Sequence, residues 1–162
     1  MKDIAKTVED IIEKYGCADP FSICEQMDIQ VIDQPLPDSI NGFTITLEDI
    51  RFIVLNNMLE HYKRRITAAH ELGHIILHGT TNTIQLSANT SFCISRYERE
   101  ADCFAAHLLL SEEMELFENE TVTARELSMK THIPLDMIES SAECLRSRFG
   151  GVPPRSIRAL IQ

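Results

Sequence analysis

One helical segment limits the folds that this chain can adopt more than any other part of the sequence. Residues from about His61 to His78 contain no proline. Apolar or small residues recur in this segment at the spacing of one helical face: Ile66, Ala69, Gly73, Ile76 and Leu77. The pattern predicts one helix with one face packed against a core, and Gly79 is placed to end it.

The same helix contains His70-Glu71-Leu72-Gly73-His74, a His-Glu-x-x-His pattern. Four residues make about one helical turn, so the two histidines project from one face and can direct their imidazoles at one metal ion. Glu71 lies about 100° round the helix, where its carboxylate can take a proton from water without becoming a ligand. Structural zinc sites are usually closed by four protein ligands, mostly cysteines. Two histidines and one carboxylate leave a position open, so the pattern favours a catalytic zinc site.

A third ligand has to come from another part of the chain. The segment from Arg96 to about Leu110 is predicted as a second amphipathic helix. It supplies three acidic candidates: Glu98, Glu100 and Asp102.

Two separated stretches, RRITAAHELGHIILHG and EREADCFAAHLLL, resemble the ImmA/IrrE family of zinc metallopeptidases in their order and spacing. The resemblance covers about residues 40–112. It implies that the glutamate just before the alanine of the second stretch, Glu100, is the third zinc ligand. Glu98 is the alternative, because Glu98 and Asp102 form a Glu-x-x-x-Asp pair of the kind seen in glutamate-ligated zinc peptidases. Asp102 is expected either to hold the second nitrogen of a ligand histidine or to be a solvated helix residue.

The sequence before the motif helix predicts two helices and three strands. MKDIAKTVEDIIEKYG has helical spacing of its apolar residues, and residues 21–27 allow a second, short helix. DIQVID is a candidate strand. Residues 43–47 and 50–55 predict two further strands, joined by a turn at Glu48 and Asp49.

The sequence after the motif helix predicts a loop and more helices. Residues 80–92 are rich in Thr, Asn and Ser and are predicted as a surface loop. Ser111, followed by two glutamates, is predicted to cap the start of a short helix. Residues 124–130 and 135–148 predict a helical pair.

These elements and the resemblance together predict an α+β fold. We expect a helical zincin-like core with a small three-stranded sheet and a C-terminal helical pair. Residues 1–118 are expected to form the zinc metallopeptidase domain. Residues 119–162 are expected to form a helical extension, similar to a helix-turn-helix and packed on the first domain.

The composition of the chain indicates which cellular compartment and which binding partners to expect. The net charge of −10 argues against general affinity for nucleic acid or for anionic membranes. No apolar run approaches the roughly 20 residues that a membrane span needs. The five cysteines include no Cys-x-x-Cys pair, which favours the reduced cytoplasm. Four histidines outside the motif are expected to be surface or packing residues: His61, His78, His107 and His132.

The resemblance implies a zinc-dependent endopeptidase of narrow specificity that cleaves a helix-turn-helix transcriptional repressor, often one encoded on a mobile element. The motif histidines and Glu100 would hold Zn²⁺, and Glu71 would act as base and then as acid. Tyr62 or Tyr97 could stabilise the oxyanion. Two alternatives stay open: a non-catalytic regulator that binds a transcription factor or DNA and retains the metal site, and a zinc hydrolase acting on a substrate other than peptide.

Overall fold

Two short helices open the chain in the computed structural model, which describes residues 3–79, 91–114, 123–139 and 141, and only the backbone of 91–95 and 112–114. Helix α1 (Ile4–Tyr15) begins at Asp3, whose carboxylate accepts a hydrogen bond from a first-turn backbone N–H. It ends at Gly16 in the left-handed conformation. Helix α2 (Pro20–Gln26) is capped in the same way by Asp19. Both helices pack apolar side chains into the core.

Three strands follow and form one mixed sheet. β1 (Ile29–Gln34), β2 (Gly42–Leu47) and β3 (Ile50–Asn56) lie in the order β1-β3-β2. β1 is parallel to β3, and β2 is antiparallel to β3. Glu48 and Asp49 connect β2 to β3 with φ angles of 48° and 67°, the left-handed conformation that a tight two-residue hairpin needs. The predicted three strands and their turn are confirmed.

Asn56, at the end of β3, fixes the connections at that end of the sheet. Its side chain is buried, and its Nδ2 donates to the carbonyl oxygens of Leu36 and Ile40 at 3.2 and 3.0 Å. Its Oδ1 accepts from the backbone N–H of Met58 at 3.1 Å. One buried amide thus holds the loop before β2 against the loop that leads to the next helix.

The two long helices, α3 (His61–His78) and α4 (Ser91–Met114), pack against each other. α3 has the predicted bounds, with Gly79 at a φ of 71° just after it. α4 is longer than predicted at both ends. The prediction that Ser111 starts a new helix is wrong, because its hydroxyl donates to the carbonyl oxygen of His107 at 2.7 Å inside the continuing α4.

Gly73 of α3 lies at the contact with α4. A Cβ atom at this position would lie 3.0 Å from Cδ1 of Phe104 and 3.3 Å from Cα of Ala101. A glycine at this position therefore allows the contact with α4 without a shift of either helix. The sheet and the helices share one apolar core, which includes Val8, Ile23, Ile53, Leu55, Leu72, Phe104, Leu108, Leu127, Ile133 and Ile138.

The described part of the C-terminal extension packs on this core. Helix α5 (Ala124–Thr131) begins at Thr123, which forms a capping box with Glu126, and residues 135–139 are helical. His107 of α4 is buried, with its Nε2 3.2 Å from the carbonyl oxygen of Ser141.

The predicted α+β class is confirmed, with helices packed around a three-stranded sheet. The division between residues 118 and 119 stays a prediction. Residues 91 and 92 of the loop predicted at 80–92 belong to α4 instead. The rest of that loop, and residues 140 and 142–148 of the helix predicted at 135–148, lie outside the described residues. None of the helices in the described part of the chain combines the length and apolar character of a membrane span.

Candidate metal site

α3 brings the two motif histidines together. The Nε2 atoms of His70 and His74 are 3.1 Å apart, and the ring centroids are 4.7 Å apart. His74 is buried, whereas His70 is partly exposed. The one-turn spacing thus gives the shared direction that the sequence predicts.

α4 adds the carboxylate of Glu98 to this pair. Its Oε2 lies 3.3 Å from Nε2 of His70, and its Oε1 lies 3.4 Å from Nε2 of His74. Hydrogen bonds with the two histidines lower the pKa of Glu98 well below its usual range. One ligand atom from each of the three residues lies within 4.8 Å of the others.

The separations of these donors match what one metal ion requires. Two ligands about 2.0–2.1 Å from a tetrahedral zinc ion are about 3.3 Å apart. In this site the two Nε2 atoms are 3.1 Å apart, and they lie 3.3 and 3.4 Å from different oxygens of the Glu98 carboxylate. Imidazole nitrogen and carboxylate oxygen are also donors that zinc accepts, so the residues fit a divalent metal of this kind.

Asp102 holds His70 from the side away from Glu98. The Nδ1 of His70 lies 2.8 Å from Oδ1 of Asp102, which fixes the ring so that Nε2 faces the other donors. Burial lowers the pKa of His70, but hydrogen bonds with Asp102 and Glu98 and the charge of Glu71 outweigh it and raise that pKa to about 10. Asp102 thus contacts the second nitrogen of a motif histidine and is not simply a solvated helix residue.

Glu71 is buried beside the same group. Its Oε2 accepts no hydrogen bond from the residues that the structure describes. Burial raises the pKa of Glu71, the two motif histidines oppose this rise, and Glu98 adds to it. A buried carboxylate with a raised pKa beside a candidate metal site is suited to act as a general base.

Glu100, which the family resemblance implied as the third ligand, points elsewhere. Its Oε1 accepts a hydrogen bond from Nε of Arg96 at 2.9 Å, and its Oε2 lies 3.8 Å from Nδ1 of His78. Positions 98 and 100 are about 200° apart around a helix, so they face different sides of α4. Glu98 and Asp102 are one turn apart and share a side. The structure therefore brings Glu98, and not Glu100, to the histidine pair.

His78 is a residue whose surroundings the sequence interpretation missed. Its side chain is 7% exposed, and its ring lies 5.6 Å from that of His74. The sequence could have predicted that His78 packs beside His74, because positions 70, 74 and 78 follow each other at one-turn intervals along α3. The two tyrosines considered as oxyanion donors contact different residues. The ring centroid of Tyr97 lies 4.4 Å from that of His78, and the ring centroid of Tyr62 lies 4.7 Å from that of His132.

A His-Glu-x-x-His helix that meets an acid from a second helix, beside a small mixed sheet, is typical of zincin-like metallopeptidases. Comparison with known proteins shows which family of metallopeptidases the chain resembles. A peptidase family model described as the IrrE N-terminal-like domain matches residues 24–140, which include the whole site. The chain belongs to this family, as the two motifs predicted.

Two relatives extend the comparison. The chain is 30% identical over 135 residues to "Uncharacterized immunity region protein 2" of Bacillus phage phi105, which covers 83% of this chain and 85% of the phage protein. It is 29% identical over 115 residues to "Metallopeptidase ImmA" of Bacillus subtilis (strain 168), which covers 70% of this chain and 66% of that protein. The class of this chain is therefore metallopeptidase.

Proposed function

We propose that this protein is a zinc-dependent endopeptidase that cleaves a helix-turn-helix transcriptional repressor. The observation that carries the proposal is the convergence of one carboxylate and two imidazoles at separations suited to one ion. His70, His74 and Glu98 are the proposed ligands, and Glu71 is the proposed catalytic residue. Glu98 replaces Glu100 in this set because of the geometry of α4.

The chemistry of the site follows from its residues. A zinc ion, when bound, polarises the peptide carbonyl and lowers the pKa of a water molecule to about 7. Glu71 accepts the proton of the water that attacks the carbonyl carbon, and its raised pKa suits it to hold that proton. It then gives the proton to the leaving amine as the C–N bond breaks. Asp102 keeps the ring of His70 fixed throughout.

Charge and relatives support a repressor as the substrate. The net charge of −10 favours a basic partner, and a repressor presents basic side chains to DNA. One relative is named for a phage immunity region, and the other is named a metallopeptidase. With a substrate of this kind, the proposal includes a cytoplasmic location and no direct DNA binding by this chain.

The proposal is tested by cleavage of a helix-turn-helix regulator encoded beside the gene. The two purified proteins are incubated, and the regulator is followed by gel electrophoresis and mass spectrometry. We expect the wild type to carry one zinc ion and to cut the regulator at one bond. Glu71→Gln should retain the zinc and lose cleavage by about 10²-fold or more, because it cannot accept a proton.

Two outcomes contradict this reading. Equal cleavage by the wild type and Glu71→Gln would refute the assigned mechanism. Binding of the regulator without cleavage, with control of transcription intact in Glu71→Gln, would instead favour the non-catalytic regulator. The ligand assignment is tested by two matched variants at saturating zinc. Glu98→Gln should no longer bind one zinc ion per chain, whereas Glu100→Gln should still bind one, even if its affinity is lower.

A further inference from the structure

His78 lies one turn after His74 on α3, next to the proposed metal site. Its ring is packed between those of His74, at 5.6 Å, and Tyr97, at 4.4 Å. It is the third histidine along the same face of α3, and 7% of its side chain is exposed. The mechanism proposed above does not use it.

Glu100 faces His78 from α4. The Oε2 of Glu100 lies 3.8 Å from Nδ1 of His78, and 18% of the Glu100 side chain is exposed. Arg96, one turn earlier on α4, donates its Nε to Oε1 of the same carboxylate at 2.9 Å. The carboxylate is therefore held between a cation on its own helix and a buried imidazole on the other helix.

The residues of α4 that contact His78 lie on both sides of Glu98 in the sequence. Tyr97 precedes it and Glu100 follows it by two residues, and both contact His78. The Glu98 side chain is 45% exposed, so the packing of its own atoms does little to fix it. The position of its carboxylate depends on the backbone turn from which it extends. His78 fastens that turn to α3.

We infer that His78 and Glu100 are positioning residues, which hold the turn of α4 that presents Glu98 to His70 and His74. The inference rests on the proposed ligand role of Glu98. It gives Glu100 a function different from the one that the sequence motif implied.

The test uses two substitutions of similar shape and their combination. His78→Phe keeps a ring against its aromatic neighbours and removes both ring nitrogens, while Glu100→Gln removes the charge. Zinc affinity is measured by competition with a chelator, and ligand geometry by the absorption spectrum of the cobalt(II)-loaded protein. We expect each variant to lose about 10- to 100-fold in zinc affinity and to change the cobalt spectrum. Both changes break the same contact. The zinc affinity of the double variant should therefore be no lower than that of the single variant that binds zinc less tightly.

A control separates positioning from general stability. Asp33→Asn breaks a different ion pair of α3, in which Nε of Arg64 lies 2.9 Å from Oδ1 of Asp33. It should leave zinc affinity and the cobalt spectrum unchanged. If His78→Phe does not fold, Glu100→Gln carries the test alone, because its side chain is partly exposed.

The outcomes distinguish this inference from the proposed function. A wild-type protein that binds no zinc would overturn the function itself. Wild-type affinity and spectrum in both His78→Phe and Glu100→Gln would overturn only the positioning role. Loss of zinc in Glu100→Gln, together with full zinc binding in Glu98→Gln, would show that Glu100 is the ligand and would also overturn it.

Discussion

The contact between α3 and α4 at Gly73 gives the sharpest prediction, for the substitution Gly73→Ala. The added Cβ would lie 3.0 Å from Cδ1 of Phe104, and 3.3 Å from both Cα and the carbonyl oxygen of Ala101. Carbon atoms in ordinary contact are about 3.5–4.0 Å apart. The Phe104 ring is fully buried, and backbone atoms cannot rotate away. α4 therefore has to shift by a few tenths of an ångström.

The effect on stability is expected to be small, because two terms oppose each other. An extra methyl group in a packed core costs about 1–3 kcal/mol. Alanine in a helix interior is about 1 kcal/mol more favourable than glycine. The free energy of unfolding should therefore fall by about 0–2 kcal/mol.

The effect on zinc binding is expected to be larger. Metal sites require donor distances within about 0.2 Å, and a shift of α4 carries Glu98 away from the α3 histidines. Zinc affinity should therefore fall about 10-fold or more.

The assay pairs urea unfolding of the metal-free protein with chelator competition for zinc. Gly16→Ala is the matched control, since it adds the same methyl group at the left-handed end of α1, with nothing within 4 Å. It should cost about 1–2 kcal/mol through its backbone conformation and leave zinc affinity unchanged. Wild-type zinc affinity in Gly73→Ala, or a gain of the full helix propensity, would refute the close contact between the helices.

Three further substitutions or conditions test other parts of the structure. Asp102→Asn should weaken zinc binding about 10- to 100-fold, measured by chelator competition, because it weakens the bond that orients His70. The pKa of His70 in the metal-free protein is raised from 6.5 to about 10, so its stabilising effect is complete below pH 6.5 and is lost as the pH rises to about 10. Urea midpoints of metal-free protein should fall across that range, and less so in Asp102→Asn. Asn56→Ala should lower the free energy of unfolding by about 2–3 kcal/mol in the same assay, because it leaves buried polar groups of two loops without a partner. An unchanged urea midpoint in Asn56→Ala would contradict that role.

Much of the fold could be predicted from local patterns. The alternation of apolar residues predicted β2, and β-branched and aromatic residues predicted β3. The helical repeat with a glycine at its end predicted the bounds of α3. α4 was harder, because Ser111 and the glutamates after it form a capping signal that is also compatible with a helix interior. A serine inside a helix can bond to a carbonyl one turn earlier, and Ser111 does so.

The sequence could predict only the part of the candidate site whose geometry is set within one helix. The direction shared by His70 and His74 follows from their spacing along α3. The choice between Glu98 and Glu100 depends on how α4 is rotated against α3, which no local pattern within α4 fixes. The bond from His70 to Asp102 shows that rotation, since it turns the side shared by positions 98 and 102 toward the histidines.

α4 contacts both the candidate metal site and the C-terminal extension. Glu98 near one end and His107, which contacts Ser141, are separated by about 13 Å along the helix axis. A tilt of about 5° about either point displaces the other by about 1 Å, several times the tolerance of a metal site. Residues of the C-terminal extension that pack against α4 are thus under the same geometric constraint as the proposed ligands, although they lie far from them.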